Sequence, residues 1–189
     1  MRQILRRRRA ELPEADQAAA SVAIMARLAR IDVLRSAGTV AGYRAIRGEV
    51  DVDASLLLLI EQGAQVTVPR VEGDAMTFLP WHPDAETAAG SFGIAEPIAG
   101  EPVAFGDHDV VLVPLVAFDG AGQRLGQGGG FYDRAIAGAA RRPVLIGVAH
   151  SFQQVSEVPV AAWDQPLDAV VTEEHIHEFR PGALGETTS

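Results

Sequence analysis

Residues 124–133 read Arg-Leu-Gly-Gln-Gly-Gly-Gly-Phe-Tyr-Asp, and this stretch decides the fold class to expect. The apolar run Val110 to Val113 lies upstream, and residues 131–140 downstream have a helical pattern. The order strand, glycine loop, helix is typical of a phosphate-binding loop, because glycines let backbone N–H groups crowd an anion. The alternative is a plain structural turn. Arg124 and Asp133 favour phosphate, since they supply a cation for it and a carboxylate for Mg²⁺.

The loop does not match the standard nucleotide-binding motifs. A Walker A loop requires G-x-x-x-x-G-K-[ST], and this chain contains no lysine, because all 16 of its basic residues are arginine. The register of G-x-G-x-x-G is absent as well. Any cation on the phosphates must therefore be an arginine or a metal ion.

Length and composition indicate one globular domain. A chain of 189 residues with 48% hydrophobic content is long enough for a full core. The absence of cysteine excludes disulfides, a thiolate nucleophile and cysteine-ligated zinc. No apolar run approaches the roughly 18–20 residues of a membrane span, and acidic residues follow the arginine-rich start, which argues against a secretory signal. We expect a cytoplasmic protein without a membrane partner.

The charge distribution argues against nucleic acid as a partner. The formal net charge is −9, although five arginines lie in the first nine positions, so the rest of the chain is more acidic still. Arg2, Arg6 and Arg9 fall on one face of a predicted helix. The spacing alone favours a solvated basic face, with an anion site as the alternative.

Helical and strand patterns alternate along the chain. Helices are predicted at 2–11, 15–29, 53–63 and 131–140, with Asp53 as an N-cap, and strands at 39–43, 65–68, 76–79, 110–113, 144–149 and 169–172. Residues 82–107 have the composition of a long loop. These patterns predict an α/β, single-domain, three-layer fold with a mostly parallel central sheet flanked by helices, spanning residues 1–181, and a disordered tail at 182–189. In such sheets, ligands bind outside the carboxyl ends of the strands.

Residues 113–119, Gly122 and residues 124–134 together resemble the signature of the 5-formyltetrahydrofolate cyclo-ligases, also called methenyltetrahydrofolate synthetases. Weaker matches follow in the family's order at Glu49-Val50-Asp51 and at residues 66–69, 92–97, 147–150 and 163–168. The resemblance implies an ATP- and Mg²⁺-dependent closure of 5-formyltetrahydrofolate to 5,10-methenyltetrahydrofolate, with release of ADP and phosphate. It also implies a route in which the formyl oxygen is phosphorylated, N10 attacks the activated carbon and phosphate leaves.

The resemblance also assigns residues. It implies ATP binding by Arg2, Arg6, Arg124, Leu125, Gly126, Gln127, Gly128, Gly129, Gly130, Phe131 and Tyr132, with Arg124 and Tyr132 as catalytic groups. Substrate contacts are implied for Ile46, Glu49, Asp51, Gln127 and Phe131, and Mg²⁺ ligands for Asp133 and Asp164. Position 2 is often lysine in the family, and some members carry a basic residue at position 127 or 129. We therefore expect the N-terminal arginines to carry more of the phosphate charge here.

Several alternatives remain open at this point. Phe131 is equally suited to core packing and Asp51 to a solvated loop, and Asp168 is a second metal candidate or a strand-end cap. The whole chain is alternatively a paralogue acting on another substrate, or a non-catalytic nucleotide- or RNA-binding module. Asp133 and Asp164 favour catalysis, since a pure binder does not require metal ligands. We expect a monomer.

Overall fold

A seven-stranded sheet forms the centre of the protein. The computed structural model describes residues 1–90, 93–161 and 164–185. The strands are, in chain order, β1 (Thr39–Ala41), β2 (Gln65–Glu72), β3 (Ala75–Pro80), β4 (Thr87–Ala89), β5 (Ala95–Pro97), β6 (Val110–Pro114), β7 (Ala117–Phe118), β8 (Arg124–Leu125), β9 (Val144–Val148), β10 (Ala169–Val171) and β11 (Ile176–Glu178). The helices are α1 (Arg2–Ala10), α2 (Glu14–Leu28), α3 (Asp32–Arg35), α4 (Asp53–Glu61) and α5 (Phe131–Ala137).

The order of strands in the sheet is β11-β10-β9-β6-β1-β2-β3. The five strands from β10 to β2 are parallel, and the two edge strands, β11 and β3, are antiparallel to their neighbours. From β1 the chain moves outward to β2 and β3, and it then returns to the other side of β1 as β6. The carboxyl ends of β1 and β6 therefore flank the point where the direction of winding changes, which is where open α/β sheets bind ligands.

Side chains alternate across the sheet and build a core on each face. Along β6, Val110 and Leu112 join one buried cluster and Val111 and Val113 join the other. Helices α2, α3 and α4 cover the first face, and α5 covers the second through Ile136. A central parallel strand buried on both faces reads as a continuous apolar run, as this one does. The predicted three-layer α/β architecture is confirmed.

The apolar stripe of α2 differs in detail from the prediction. The buried positions are Ala20, Ile24 and Leu28, which repeat every four residues and face the sheet. The helical spacing of Val22, Met25 and Leu28 predicts a stripe that includes Val22, but Val22 is 62% exposed. Alanines at five further positions spread apolar surface over several faces of the helix, so its pattern did not define one stripe.

Two predictions of local structure were wrong, because pairing between strands overrides the local sequence pattern. Strand β2 does not stop at Pro69 but continues to Glu72, paired only with β3 beyond Thr67. Since β1 ends beside Thr67, this part of β2 is an edge, where a missing proline N–H is tolerated. The predicted loop at 82–107 contains a small hairpin of β4 and β5.

The C-terminal segment is more ordered than expected. Strand β11 pairs with β10, although its three residues, Ile176, His177 and Glu178, gave no strand signal. Leu184, inside the predicted disordered tail, is buried, and its carbonyl accepts a hydrogen bond from the Val33 N–H at 3.2 Å. Residues 186–189 of that tail lie outside the described residues. No helix in the described ranges is both long and apolar enough to cross a bilayer.

Candidate active site

The glycine loop reaches the switch point of the sheet through a short hairpin. Strands β7 and β8 pair antiparallel, and β8 ends at Leu125, so the loop itself is residues 126–130. Gly128 has φ +102° and Gly130, the N-cap of α5, has φ +66°. Both values lie in the left-handed region that favours glycine. The path of the backbone therefore requires glycine at positions 128 and 130.

Helix α1 lies against this loop and contacts it through two arginines. The Arg2 Nε donates to the Gly126 carbonyl at 3.0 Å, and the Arg6 Nη2 donates to the Gln127 carbonyl. Burial lowers the pKa of Arg6, and the nearby Arg2 lowers it further. The i, i+4 spacing thus serves to bring two cations to one loop, where Arg6 is partly buried and Arg2 remains exposed.

Glu49 is a buried carboxylate at the centre of this arrangement. Its Oε1 accepts from the Gln127 amide at 2.7 Å and pairs with Arg9 Nη2 at 3.3 Å, while its Oε2 accepts from the Ile46 N–H at 3.2 Å. Burial raises the pKa of Glu49, and Arg9 opposes that rise. The structure therefore brings Ile46, Glu49 and Gln127, three of the predicted substrate contacts, into one network.

Two polar atoms at this site are buried without a hydrogen-bond partner. They are the Arg6 Nε and the Tyr132 hydroxyl, and they are the only such side-chain atoms among the described residues. Burial raises the pKa of Tyr132, and the charge of Glu49 adds to the effect, so the phenol stays protonated and available as a donor. An unsatisfied buried polar group costs roughly 1–3 kcal/mol, and this cost is recovered when a ligand supplies the partner.

Arg124 organises the far end of the loop rather than projecting into the site. Its guanidinium donates to the Asp133 Oδ1 and to the Gln165 carbonyl, and its side chain is 5% exposed. Asp133 keeps a third of its side chain exposed. This pairing ties β8, α5 and the 164–168 segment together, so Arg124 positions the predicted metal ligand.

The second predicted metal ligand, Asp164, faces its own loop. Its Oδ2 accepts from the Ala161 N–H at 2.8 Å. Within residues 1–90, 93–161 and 164–185, no group of three or more His, Asp or Glu side chains is arranged to hold a metal ion. Mg²⁺ in nucleotide sites needs only one or two carboxylates, because phosphate oxygens and waters complete its coordination. Asp133, beside the loop and partly exposed, fits such a ligand.

Asp168, the alternative metal candidate, has a structural role. Its carboxylate, 2% exposed, accepts from Arg142 at 2.7 and 2.8 Å, from Arg180 at 2.7 Å and from the Leu145 N–H at 2.7 Å. It lies at the start of β10, away from the carboxyl ends where ligands bind. It therefore joins β9 and β10 and carries no free oxygen for a metal.

Asp168→Ala should lower the free energy of unfolding by about 2–4 kcal/mol, because the buried Leu145 N–H and two arginines lose their acceptor. Urea denaturation with and without Mg²⁺ measures this loss. The two conditions should show the same difference from wild type. A loss that appears only in the presence of Mg²⁺ would contradict the structural role.

The other predicted contact residues, Phe131, Asp51 and Leu125, lie on three different elements of the structure. Phe131 is half-buried at the start of α5, and Arg134 stacks over its ring at 5.0 Å. Asp51 is exposed, and its Oδ1 accepts from the Asp53 N–H at 2.8 Å. Asp51 therefore forms a side-chain turn just before α4, and its described hydrogen bonds do not reach the glycine loop. Leu125 is part of β8, where its carbonyl accepts from the Val116 N–H.

Arg9 and His150 also belong to this site, and the sequence reasoning gave neither of them a catalytic role. Arg9 is buried, and the His150 Nε2 lies 3.0 Å from the Gly48 carbonyl, in a ring that is also buried. Burial lowers the pKa of His150, which keeps its imidazole neutral. The i, i+4, i+7 spacing pointed to the face that carries Arg9, but nothing local indicated its acceptors at positions 47, 49 and 115.

Comparison with known proteins agrees with this geometry. Residues 1–173 match the sequence model of the 5-formyltetrahydrofolate cyclo-ligase family. The 5-formyltetrahydrofolate cyclo-ligase of Escherichia coli K12 is 36% identical over 182 residues, covering 93% of this chain and 100% of that protein. The Haemophilus influenzae enzyme of the same name is 32% identical, covering 86% of this chain and 90% of that protein.

Solved structures of the same family are similar to this protein in fold. The 5,10-methenyltetrahydrofolate synthetase of Aquifex aeolicus superimposes with a TM-score of 0.84 at 35% identity, covering 96% of this chain and 92% of that one. The corresponding synthetase of Mycoplasma pneumoniae has a TM-score of 0.76 at 26% identity, with coverage of 92% and 96%. The family model, the relatives and the solved structures agree along almost the whole chain. This protein therefore belongs to the 5-formyltetrahydrofolate cyclo-ligase family.

Proposed function

We propose that the protein closes 5-formyltetrahydrofolate to 5,10-methenyltetrahydrofolate at the expense of ATP. The observation that carries this proposal is the pair of unpartnered buried polar atoms, the Arg6 Nε and the Tyr132 hydroxyl, at the junction of α1, the glycine loop and Glu49. Both are donors, so the ligand they suit presents acceptor oxygens there. Triphosphate and formyl oxygens are acceptors of that kind.

The reaction requires the formyl oxygen to become a leaving group. In the proposed route this oxygen attacks the γ-phosphorus of ATP and ADP departs. N10 then attacks the formyl carbon, the carbon–oxygen bond breaks, phosphate leaves with the former formyl oxygen, and N10 loses its proton. Phosphoryl transfer depends mainly on positioning and charge neutralisation, and the site offers both.

The nucleotide side of the site is formed by α1 and the loop. Arg2, Arg6 and the N–H groups of residues 126–130 bind the phosphates, and the Tyr132 hydroxyl donates to an oxygen of the transferring group. Arg124 holds Asp133 towards the loop. Asp133 would hold Mg²⁺, with Asp164 as its second proposed ligand, and the ion would supply positive charge that neutralises the phosphates.

The folate side is formed by the turn after β1. Glu49 accepts hydrogen bonds along one side of the site, Ile46 and Phe131 offer apolar surface for the pterin ring, and Gln127 lies between the two subsites. We assign Asp51 to the outer part of this subsite, because it is exposed at the end of the same turn. The acidic charge, −9 overall, supports small-molecule rather than nucleic-acid partners. We further propose that the enzyme is a cytoplasmic monomer.

An absorbance assay for the methenyl product tests the proposal. Purified protein with ATP, Mg²⁺ and 5-formyltetrahydrofolate should form product, with one phosphate released per ring closed. Omission of ATP, or its replacement by a non-hydrolysable analogue, should abolish product formation. ATP-dependent phosphate release without methenyl product would favour the paralogue acting on another substrate.

Asp133→Asn should raise the Mg²⁺ concentration that gives half-maximal rate by about tenfold, since a neutral amide is a weaker ligand than a carboxylate. The measurement is a Mg²⁺ titration of initial rate at saturating ATP. Asp107→Asn, in the short turn before β6 and outside the site, is the matched control and should leave the titration unchanged. An unchanged midpoint for Asp133→Asn would remove it as a metal ligand.

A further inference from the structure

Arg9 links the two subsites, although neither the nucleotide nor the folate contacts include it. We infer that Arg9 is a positioning residue, which neutralises Glu49 and thereby fixes the glycine loop, so that the folate-side turn and the nucleotide-side loop hold each other in place. The identity of the ligand on each side rests on the proposed function. The contacts that link the two sides are independent of that function.

The guanidinium of Arg9 is buried and each of its nitrogens has a partner. Its Nε donates to the Arg47 carbonyl at 3.1 Å, its Nη1 donates to the Leu115 carbonyl at 3.2 Å, and its Nη2 pairs with Glu49 at 3.3 Å. The side chain is 2% exposed. It therefore joins α1 to the turn after β1 and to the residue that follows β6. A lysine, with one compact charge, does not match three acceptors in a planar fork.

Glu49 connects Arg9 to the glycine loop. The same oxygen, Oε1, receives Arg9 on one side and the Gln127 side-chain amide on the other. The Gln127 carbonyl in turn accepts from Arg6, one turn before Arg9 on α1. Gln127 is thus held at its side chain and at its backbone by groups that both depend on the docking of α1.

Removal of Arg9 would leave Glu49 without its cation in a buried position. A buried carboxylate without a paired charge takes up a proton or turns towards water. Protonation turns the charge-assisted hydrogen bond from the Gln127 amide into a weaker neutral one, and rotation towards water breaks it, so either change loosens the loop. A purely structural salt bridge would instead reduce stability and leave the loop geometry and its contribution to ATP binding unaltered.

The first test uses the ligand-free protein. Amide NMR signals of residues 126–130 should shift or broaden in Arg9→Met. They should stay in place in Arg7→Met, which alters an exposed arginine of the same helix that pairs with Glu11. Loop signals that are unchanged in a folded Arg9→Met would overturn the inference, whatever the protein binds.

The second test is a double-mutant cycle on ATP affinity, measured by calorimetry. Arg9→Met and Gln127→Leu should each weaken binding about tenfold, and the double variant should be about as weak as either single one, because both act through one Glu49 oxygen. Arg9→Lys should recover part of the loss. Losses that multiply to about a hundredfold in the double variant would overturn the inference.

Two cases need a separate test: an Arg9→Met variant that does not fold, and a wild-type protein that does not bind ATP. If Arg9→Met does not fold, Arg9→Met combined with Glu49→Leu leaves neither a buried charge nor an acceptor for the Gln127 amide and replaces it as the background. Gln127→Leu should then add little to the loss in ATP affinity, and a full additional loss would contradict the link. If the wild type binds no ATP, the proposed function fails, and the NMR result alone decides the role of Arg9.

Discussion

Gly128→Val is expected to weaken ATP binding by at least about a hundredfold, the largest effect of any single change in the loop, because several charge-assisted hydrogen bonds of roughly 1.5–3 kcal/mol each are lost together. Gly128 has φ +102°, a conformation in which a β-branched residue is strained by about 1–3 kcal/mol. Space is not the obstacle, since a Cβ there would lie 3.7 Å from the Arg2 guanidinium. The valine variant must therefore change the backbone path and turn the loop N–H groups away.

Calorimetry on the folded variant measures this loss of affinity. Gly120→Val is the control, since Gly120 lies in the β7–β8 hairpin with open space around its Cβ position and without a positive φ. It should bind ATP as the wild type does. An unchanged affinity in Gly128→Val would reduce the glycine run to a structural turn, the alternative that the sequence left open.

Arg6→Ala is expected to weaken ATP binding by about ten- to a hundredfold, since one charge-assisted hydrogen bond of roughly 1.5–3 kcal/mol is lost. Arg6 already donates one N–H to the Gln127 carbonyl, and its Nε, buried without a partner, remains for the ligand. Affinity for 5-formyltetrahydrofolate should change much less, because the folate-side turn keeps its contacts with Glu49.

Arg7→Ala separates this specific contact from a general charge effect. Arg7 is on the same helix, is largely exposed and pairs with Glu11 at 3.8 Å, an interaction of little energetic value. Arg7→Ala removes the same charge from the same helix as Arg6→Ala does. The ATP affinity of Arg7→Ala should fall by less than about twofold. Equal losses for Arg6→Ala and Arg7→Ala would point to a diffuse electrostatic effect and would remove Arg6 as a phosphate contact.

The parts of the fold that could be predicted from the sequence are those governed by local pattern. The apolar run of β6 indicated a strand buried on both faces, and the glycine run indicated a loop with unusual backbone angles. Pro69 shows where local rules stop. It suggests the end of a strand, yet β2 continues past it, because the neighbour on one side, β1, has already ended. That information lies in strand pairing and not in the residues around Pro69.

The candidate site shows the same division. Arg2 and Arg6 could be assigned because the family resemblance and the helical spacing agree. Arg9 lies on the same face and had no such support, since its acceptors are 38 or more positions away in the chain and converge only when α1 docks on the sheet. Asp133 was predicted as a metal ligand, but its pairing with Arg124 depends on the β7–β8 hairpin, whose two-residue strands give no sequence signal.

The fate of the formyl oxygen tests the central claim most directly. Substrate labelled with ¹⁸O in the formyl group is incubated with the wild-type protein, ATP and Mg²⁺, and the released phosphate is analysed by mass spectrometry. The account predicts that each methenyl product formed is matched by one phosphate that carries the label. Label found in water, with unlabelled phosphate released from ATP, would contradict phosphorylation of the formyl oxygen and with it the proposed role of this site.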